Sequence, residues 1–200
     1  MDDHDTGGWR RVCSEAGPDY RVFKVRLDDM VSPRTGDEGR YVILECPDWV
    51  NVIALTGDED DQMLLVRQYR HGVGTVTLEI PSGQVDSGEE PLAAAQRELA
   101  EETGYTGGRW TPLGGVRPNA AFQDNWCYSF LAEGVRRTET PRLDAGEAID
   151  VETRPLSDIP ALIRDGAIDQ ALVLGAFYAL DRLRSRYSVS DKESEPKGDR

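Results

Sequence analysis

"GQVDSGEEPLAAAQRELAEETGY", residues 83–105, sets five glutamates and one aspartate around one short alanine-rich segment with a single arginine, Arg97. From Glu89 to Thr103 the pattern is helical. Pro91 suits a first turn, the interior is rich in alanine, and Gly104 stands where a helix takes its C′ stop. At about 100° per residue, Glu98, Glu101 and Glu102 fall within roughly a 100° arc. Leu92, Ala95 and Leu99 fall on the adjacent arc and should face a core. Glu98 and Glu102 form a like-charged i, i+4 pair that no lysine neutralises, at a cost of a few tenths of a kcal/mol (roughly 0.2–0.5). Arg97 is spaced to pair with Glu101. Hard oxygen ligands at this density suit Mg²⁺ or Mn²⁺; a solvated acidic face is the plainer alternative.

The bulk numbers narrow the setting. Two hundred residues suggest one domain, or one domain with extensions. A net charge of −14 argues against a nucleic acid polymer, which needs a basic surface, but not against a small anion bound through divalent cations. Cys13, Cys46 and Cys127 are odd in number and lack metal-site spacing, so they read as reduced thiols of a cytoplasmic protein. "MDDHDTGGWR" is no signal peptide. No apolar run is long enough to span a membrane. His4 and His71 are the only histidines, which leaves histidine chemistry little support.

Along the chain, 20–31 alternates as a strand, "SPRTGDEGR" is a turn-rich link, and "YVILECPDWVNVIALTGD" reads as two strands broken at Pro47-Asp48. Residues 61–72 form a strand entered by a turn at Asp58–Asp61, and "TVTLEIPSG" runs as a strand into Pro81 and Gly83. Further strands are expected at 109–117, 126–132 and 148–156, with a long loop over 137–148. Ser157 is the expected N-cap of a helix ending at Gly166. An amphipathic helix is expected over about 169–185. This order predicts an α+β fold with mixed sheets covered by helices.

The wider spacing is more specific. From Gly83, five residues lead to Glu89 and seven more to Arg97-Glu98; Leu99, Ala100, Glu101-Glu102, Thr103, Gly104 and Tyr105 follow. This resembles the Nudix box, Gly-x5-Glu-x7-Arg-Glu-U-x-Glu-Glu-x-Gly-U with U apolar, at all nine fixed positions. Chance would fill them on the order of 10⁻¹⁰ times per window. The resemblance implies a Nudix-type α/β/α sandwich with an added N-terminal β subdomain, and hydrolysis of a nucleoside diphosphate linked to another group. It implies Glu98, Glu101 and Glu102 as metal ligands, joined by the backbone carbonyl near Gly83, with Arg97 as an orienting residue. Glu89 reads as structural, at a helix start where the dipole favours a carboxylate.

The flanks resemble one subgroup, the ADP-ribose and nucleoside diphosphate sugar pyrophosphatases. "RQYRHGVGTVTLEIPSG" is similar to its "Q-[YF]-R … LE-[IL]-P-[AS]-G" lead-in. That implies Arg70 near substrate, where a guanidinium suits a diphosphate, and Glu79 as a substrate or metal contact. Pro118 lies 13 residues after Tyr105, where the ADP-ribose type has its proline at 15 or 16, and position 120 is Ala; other nucleoside diphosphate sugars are compatible with this. "LDAGEAIDVE" is similar to the subgroup's acidic loop, implying Glu147, with Asp144 next, as the base that activates water. The subgroup commonly exchanges its N-terminal strands across a homodimer, and by analogy Phe23, Arg26, Tyr41 or Trp49 would stack on a base; Trp126 is ambiguous. The expected organisation is a disordered 1–8, dimerising strands over 9–48, a Nudix domain over 49–186 and a disordered tail over 187–200. The expected activity is metal-dependent cleavage of ADP-ribose or a related sugar to a nucleoside monophosphate and a sugar phosphate, without membrane partners. The alternatives are a housecleaning enzyme for dinucleoside polyphosphates or damaged nucleotides, and a silent nucleotide-binding domain.

Overall fold

The computed structural model describes residues 6–57 and 62–193, with side chains to 185. His4 and the turn expected at Asp58–Asp61 lie outside the described residues, as does the tail beyond 193. Two units emerge: the chain up to Asp48 with Arg117–Trp126, and Trp49–Val116 with everything from Cys127 onward.

The first unit is a three-stranded antiparallel sheet of β1 (Arg10–Tyr20), β2 (Phe23–Val31) and β3 (Glu38–Glu45). The single strand expected over 20–31 is in fact the second arm of a hairpin, in which Tyr20 faces Phe23 across a two-residue turn. β1 escapes the periodicity because it has no buried face: ten of its eleven residues are exposed, and its register shifts around Gly17-Pro18. Where the sheet is covered it is polar. Asp28 is buried, and accepts from Ser14 Oγ (2.5 Å) and from Arg26 Nε (3.0 Å). The Arg117–Trp126 segment rejoins this unit, with Leu44 N donating to Phe122 O (2.7 Å) and the Arg117 guanidinium 3.9 Å from the Trp126 ring centre.

In the second unit, β4 (Trp49–Thr56) explains the layering. Val50, Val52 and Ala54 point to one face, Ile53 and Leu55 to the other, and all five are buried. A strand buried on both faces needs cover on both. The helix α1 (Pro91–Thr103) covers the first with Ala94, Ala95 and Leu99. The second is covered by α2 (Ile159–Arg164) and α3 (Ala171–Glu193), through Ile159, Val173, Ala176 and Leu180. The sheet between them runs β10–β5–β4–β9–β8, where β5 is Gln62–Arg70, β8 Tyr105–Val116, β9 Cys127–Arg137 and β10 Ile149–Pro155. It is mixed, because β4 and β9 run parallel while the other pairs are antiparallel. This is the α/β/α sandwich expected.

One irregularity builds the site. β4 and β5 touch at a single pair, Leu55 and Met63, and then diverge. The gap is filled by β6 (Thr75–Glu79) on the β5 edge and β7 (Ser82–Gln84) on the β4 edge, with Ile80-Pro81 crossing between them. Glu79 and Gly83 thereby come to the splayed edges beneath α1.

Three local expectations are corrected. Leu92 has the helical phase of Leu99 but is 40% exposed, because it lies about 10 Å further along the axis, in the first turn. Ser157 is not an N-cap: a 3₁₀ turn over Leu156–Asp158 leads straight into α2, and Asp158 caps without a side-chain bond. α3 continues to Glu193, past the end expected near 185.

Candidate active site

α1 begins at Pro91 and ends at Gly104, whose φ of 76° places it in the left-handed region and whose N–H closes on Ala100 O. Between these stops, one helix edge presents the acidic set in graded burial. The side chain of Glu101 is 35% exposed, that of Glu98 15%, and Glu102 is buried.

Arg97 organises this edge. Its Nε and Nη2 fork onto the two oxygens of Glu89 (3.0 and 2.9 Å), Nη1 reaches Glu98 (2.8 Å) and Glu101 (3.2 Å), and Nη2 also donates to Gln84 O (2.9 Å). Those bonds use all five guanidinium N–H groups. Three carboxylates around one cation raise the arginine's pKa, and the Arg97 bonds hold Glu89 below the usual carboxylate range. Glu89 also accepts from Asp86 N (3.1 Å), so it ties the loop to the helix, the structural part expected of it.

Glu102 accepts from Ser82 N (3.0 Å) at the start of β7. Burial pushes its pKa well above the ordinary value, and the charges of Glu98 and Glu147 push the same way. Burial also raises Glu98, against the pull of Arg97. The Glu98 carboxyl packs directly on the Cα of Gly83, so that any Cβ there would overlap it. Gly83→Ala is therefore expected to displace Glu98 and lower turnover by about a hundredfold, with little change in melting temperature; steady-state rates beside a thermal melt check this.

Arg70 and Glu79 lie on the same face of the β5–β6 pair, Arg70 opposite Thr75 and Glu79 opposite Val66. Arg70 Nε and Nη2 form a fork on Glu79 (2.9 and 2.8 Å), and Thr77 Oγ1 adds a bond of 2.6 Å to Glu79 Oε1. Glu79 is ionised below the usual carboxylate range by these partners, despite burial. Glu79, expected as a substrate or metal contact, is here 1% exposed at its side chain, with both oxygens bonded to Arg70 and Oε1 also to Thr77. Arg70 differs. It is 39% exposed, it feels the charges of Glu102 and Glu147, and three of its five N–H groups have no partner among the described residues.

The loop after β9 is docked on the end of α1. Gly104 O accepts from Thr138 N (3.0 Å) and Glu139 N (3.1 Å), and Glu101 O accepts from Arg142 N (2.7 Å). A side chain at Gly104 would collide with the Glu139 carbonyl, so this glycine serves both as helix stop and as loop seat. The loop then carries Glu147 within electrostatic reach of Glu98, Glu102 and Arg70. Glu147 is exposed, and its Oε2 accepts from Asp144 N (3.0 Å).

Among the described residues no three acidic, histidine or cysteine side chains converge as a metal cage. The donor set nevertheless fits a hard cation. Three carboxylates lie on one edge, two of them are desolvated against their own charge, and among the described residues Arg97 is the one cation bonded to Glu98 and Glu101. A divalent ion would relieve that cost.

Residues 47–174 match the NUDIX domain. Over 152 residues the chain is 32% identical to an ADP-ribose pyrophosphatase of Bacillus subtilis (strain 168), covering 76% of this chain and 80% of that one. It is 31% identical over 160 residues to a methanol dehydrogenase activator of Bacillus methanolicus, covering 79% and 85%. A crystal structure of an ADP compounds hydrolase superposes with a TM-score of 0.77 at 21% identity, over 90% of this chain and 95% of that chain, a likeness of fold. By the extent of the domain match, the chain belongs to the NUDIX family.

Proposed function

We propose that this protein hydrolyses the diphosphate bond of ADP-ribose or a related nucleoside diphosphate sugar, giving a nucleoside monophosphate and a sugar phosphate. The observation that carries this reading is a half-exposed Arg70, with three N–H donors that have no partner among the described residues, held beside a desolvated carboxylate edge. A diphosphate needs both a guanidinium for its oxygens and cations for its charge. The Bacillus subtilis relative named above supports the choice of substrate.

In this reading Glu98, Glu101 and Glu102, with the backbone at Gly83, hold Mg²⁺ or Mn²⁺. When bound, such an ion would supply charge neutralisation for the diphosphate and would acidify water. Arg70 binds and orients the diphosphate. Arg97 positions Glu98 and Glu101 and has no donor left for substrate. Glu147 removes the proton of the attacking water through Oε1, since Oε2 is engaged by Asp144 N. The reactants are charged and water must be oriented, so the docked loop matters for placing that base.

A homodimer built on the first unit is part of the proposal. Trp9, Val12, Tyr20, Val22, Tyr41 and Val42 are all more than 40% exposed except Trp9, which is at 40%. A three-stranded sheet with that much apolar surface favours a partner copy. Arg26 is engaged with Asp28 and Glu45, and Tyr41 packs edge-on against Trp9. The cytoplasm suits the three cysteines, all free. Among the described residues no helix is long and apolar enough to cross a membrane.

Product analysis tests the activity. ADP-ribose, GDP-mannose, UDP-glucose, Ap4A and 8-oxo-dGTP are incubated with and without Mg²⁺, and a phosphatase reveals monophosphate products. Metal-dependent release of AMP and ribose 5-phosphate from ADP-ribose is expected. Cleavage confined to Ap4A or 8-oxo-dGTP would replace this reading with the housecleaning one.

A further inference from the structure

We infer that Thr77 is a positioning residue for substrate binding, acting through Glu79 on Arg70. The inference rests on the reading of Arg70 as the arginine that meets the diphosphate. In the β5–β6 register Gln68 lies opposite Thr77 and Val66 opposite Glu79, so Thr77 and Glu79 share one face of β6, and Arg70 projects on the same face of β5. Glu79 is a buried carboxylate next to an apolar neighbour, and such a group needs several donors to stay in place. Among the described residues it has three: the two from Arg70 and one from Thr77. The Thr77 hydroxyl lies 2.6 Å from Glu79 Oε1 and 3.2 Å from Gln68 O. It carries one proton, which the nearer, charged acceptor draws.

The geometry of the fork gives this bond its consequence. Glu79 holds Arg70 by the Nε–Nη2 edge, leaving Nη1 and the second Nη2 hydrogen on the outer edge. A planar guanidinium gripped on one edge has its other edge aimed. Rotation of the Glu79 carboxylate would swing that outer edge, and among the described residues Thr77 is the side chain, apart from Arg70 itself, that fixes the rotation. Among the described residues the Thr77 hydroxyl bonds to Glu79 and to Gln68 O and to none of Glu98, Glu101, Glu102 and Glu147, so its loss should be felt in binding and not in chemistry.

The test is a double-mutant cycle with ADP-ribose, or whichever compound of the panel is cleaved, at saturating Mg²⁺. Thr77→Val keeps the shape and the strand preference while removing the proton. It is expected to raise KM about three- to tenfold with kcat within about twofold. Thr77→Ser is expected to return KM to the wild-type value. In an Arg70→Ala background, Thr77→Val should add nothing. An unchanged KM in Thr77→Val, or the same increase with Arg70 absent, would overturn the inference while leaving Arg70 as the substrate residue. An unchanged KM in Arg70→Ala itself would instead remove the reading on which it rests. Thermal melts of each variant separate these results from loss of fold.

Discussion

Glu102→Gln is expected to lower metal-dependent hydrolysis by about a thousandfold, since a lost metal ligand removes several kcal/mol of transition-state stabilisation. The same change should leave the metal-free protein at least as stable as wild type. Glu102 is buried, and its charge is opposed by desolvation and by Glu98 and Glu147. Its contact with Ser82 N survives, because the glutamine carbonyl can accept that bond. A buried charge replaced by a neutral isostere usually costs little or stabilises. Activity and stability should therefore move in opposite directions. A thermal melt in chelator and a rate in Mg²⁺ check both halves. A variant that melts early would mean that Glu102 is a structural carboxylate.

Arg97→Ala is expected to damage both properties. The change removes five hydrogen bonds and leaves Glu98, with a side chain only 15% exposed, without its cation. Breaking one side of such a partly buried network costs about 2–4 kcal/mol, which for a domain of this size lowers the melting temperature by roughly 5–12 °C. Arg97→Lys should recover little. A single ammonium cannot reach Glu89, Glu98, Glu101 and the Gln84 carbonyl at once. Turnover should fall as well, through loss of Glu98 and Glu101 alignment. A lysine variant with wild-type melting would show that charge alone, without the fork, holds the helix edge.

What the sequence made legible follows from local physics. α1 could be read because its stops are chemical, Pro91 and Gly104, and its acidic and apolar arcs keep a helical period. Mixed sheets covered by helices could be read from the order of strands and helices, and the α/β/α layering from the Nudix resemblance. β1 could not, since a strand exposed along nearly its whole length has no period to detect. Leu92 misled because phase around a helix says nothing about position along it.

The site divides along the same line. The spacing from Gly83 to Gly104 named the candidate acidic residues and Arg97, all of which are local to one helix and its approach. That Glu79 would be sealed beneath Arg70 depends on cross-strand register, which a single sequence does not state. Nor did the spacing announce Thr77, two residues from Glu79 in a plain "TVTLE" strand. The seat that Gly104 provides for Thr138 and Glu139 joins segments over thirty residues apart; the signal was a glycine already accounted for as a helix stop.

Direct Mn²⁺ binding tests, without reference to turnover, whether the α1 edge is a divalent-cation site. Free Mn²⁺ is followed by electron paramagnetic resonance as wild-type protein and Glu102→Gln are added. Wild type is expected to deplete the free-ion signal, Mg²⁺ to restore it by competition, and Glu102→Gln to deplete it far less. Equal depletion by both proteins, or none by wild type, would contradict the assignment of the acidic edge as the metal site.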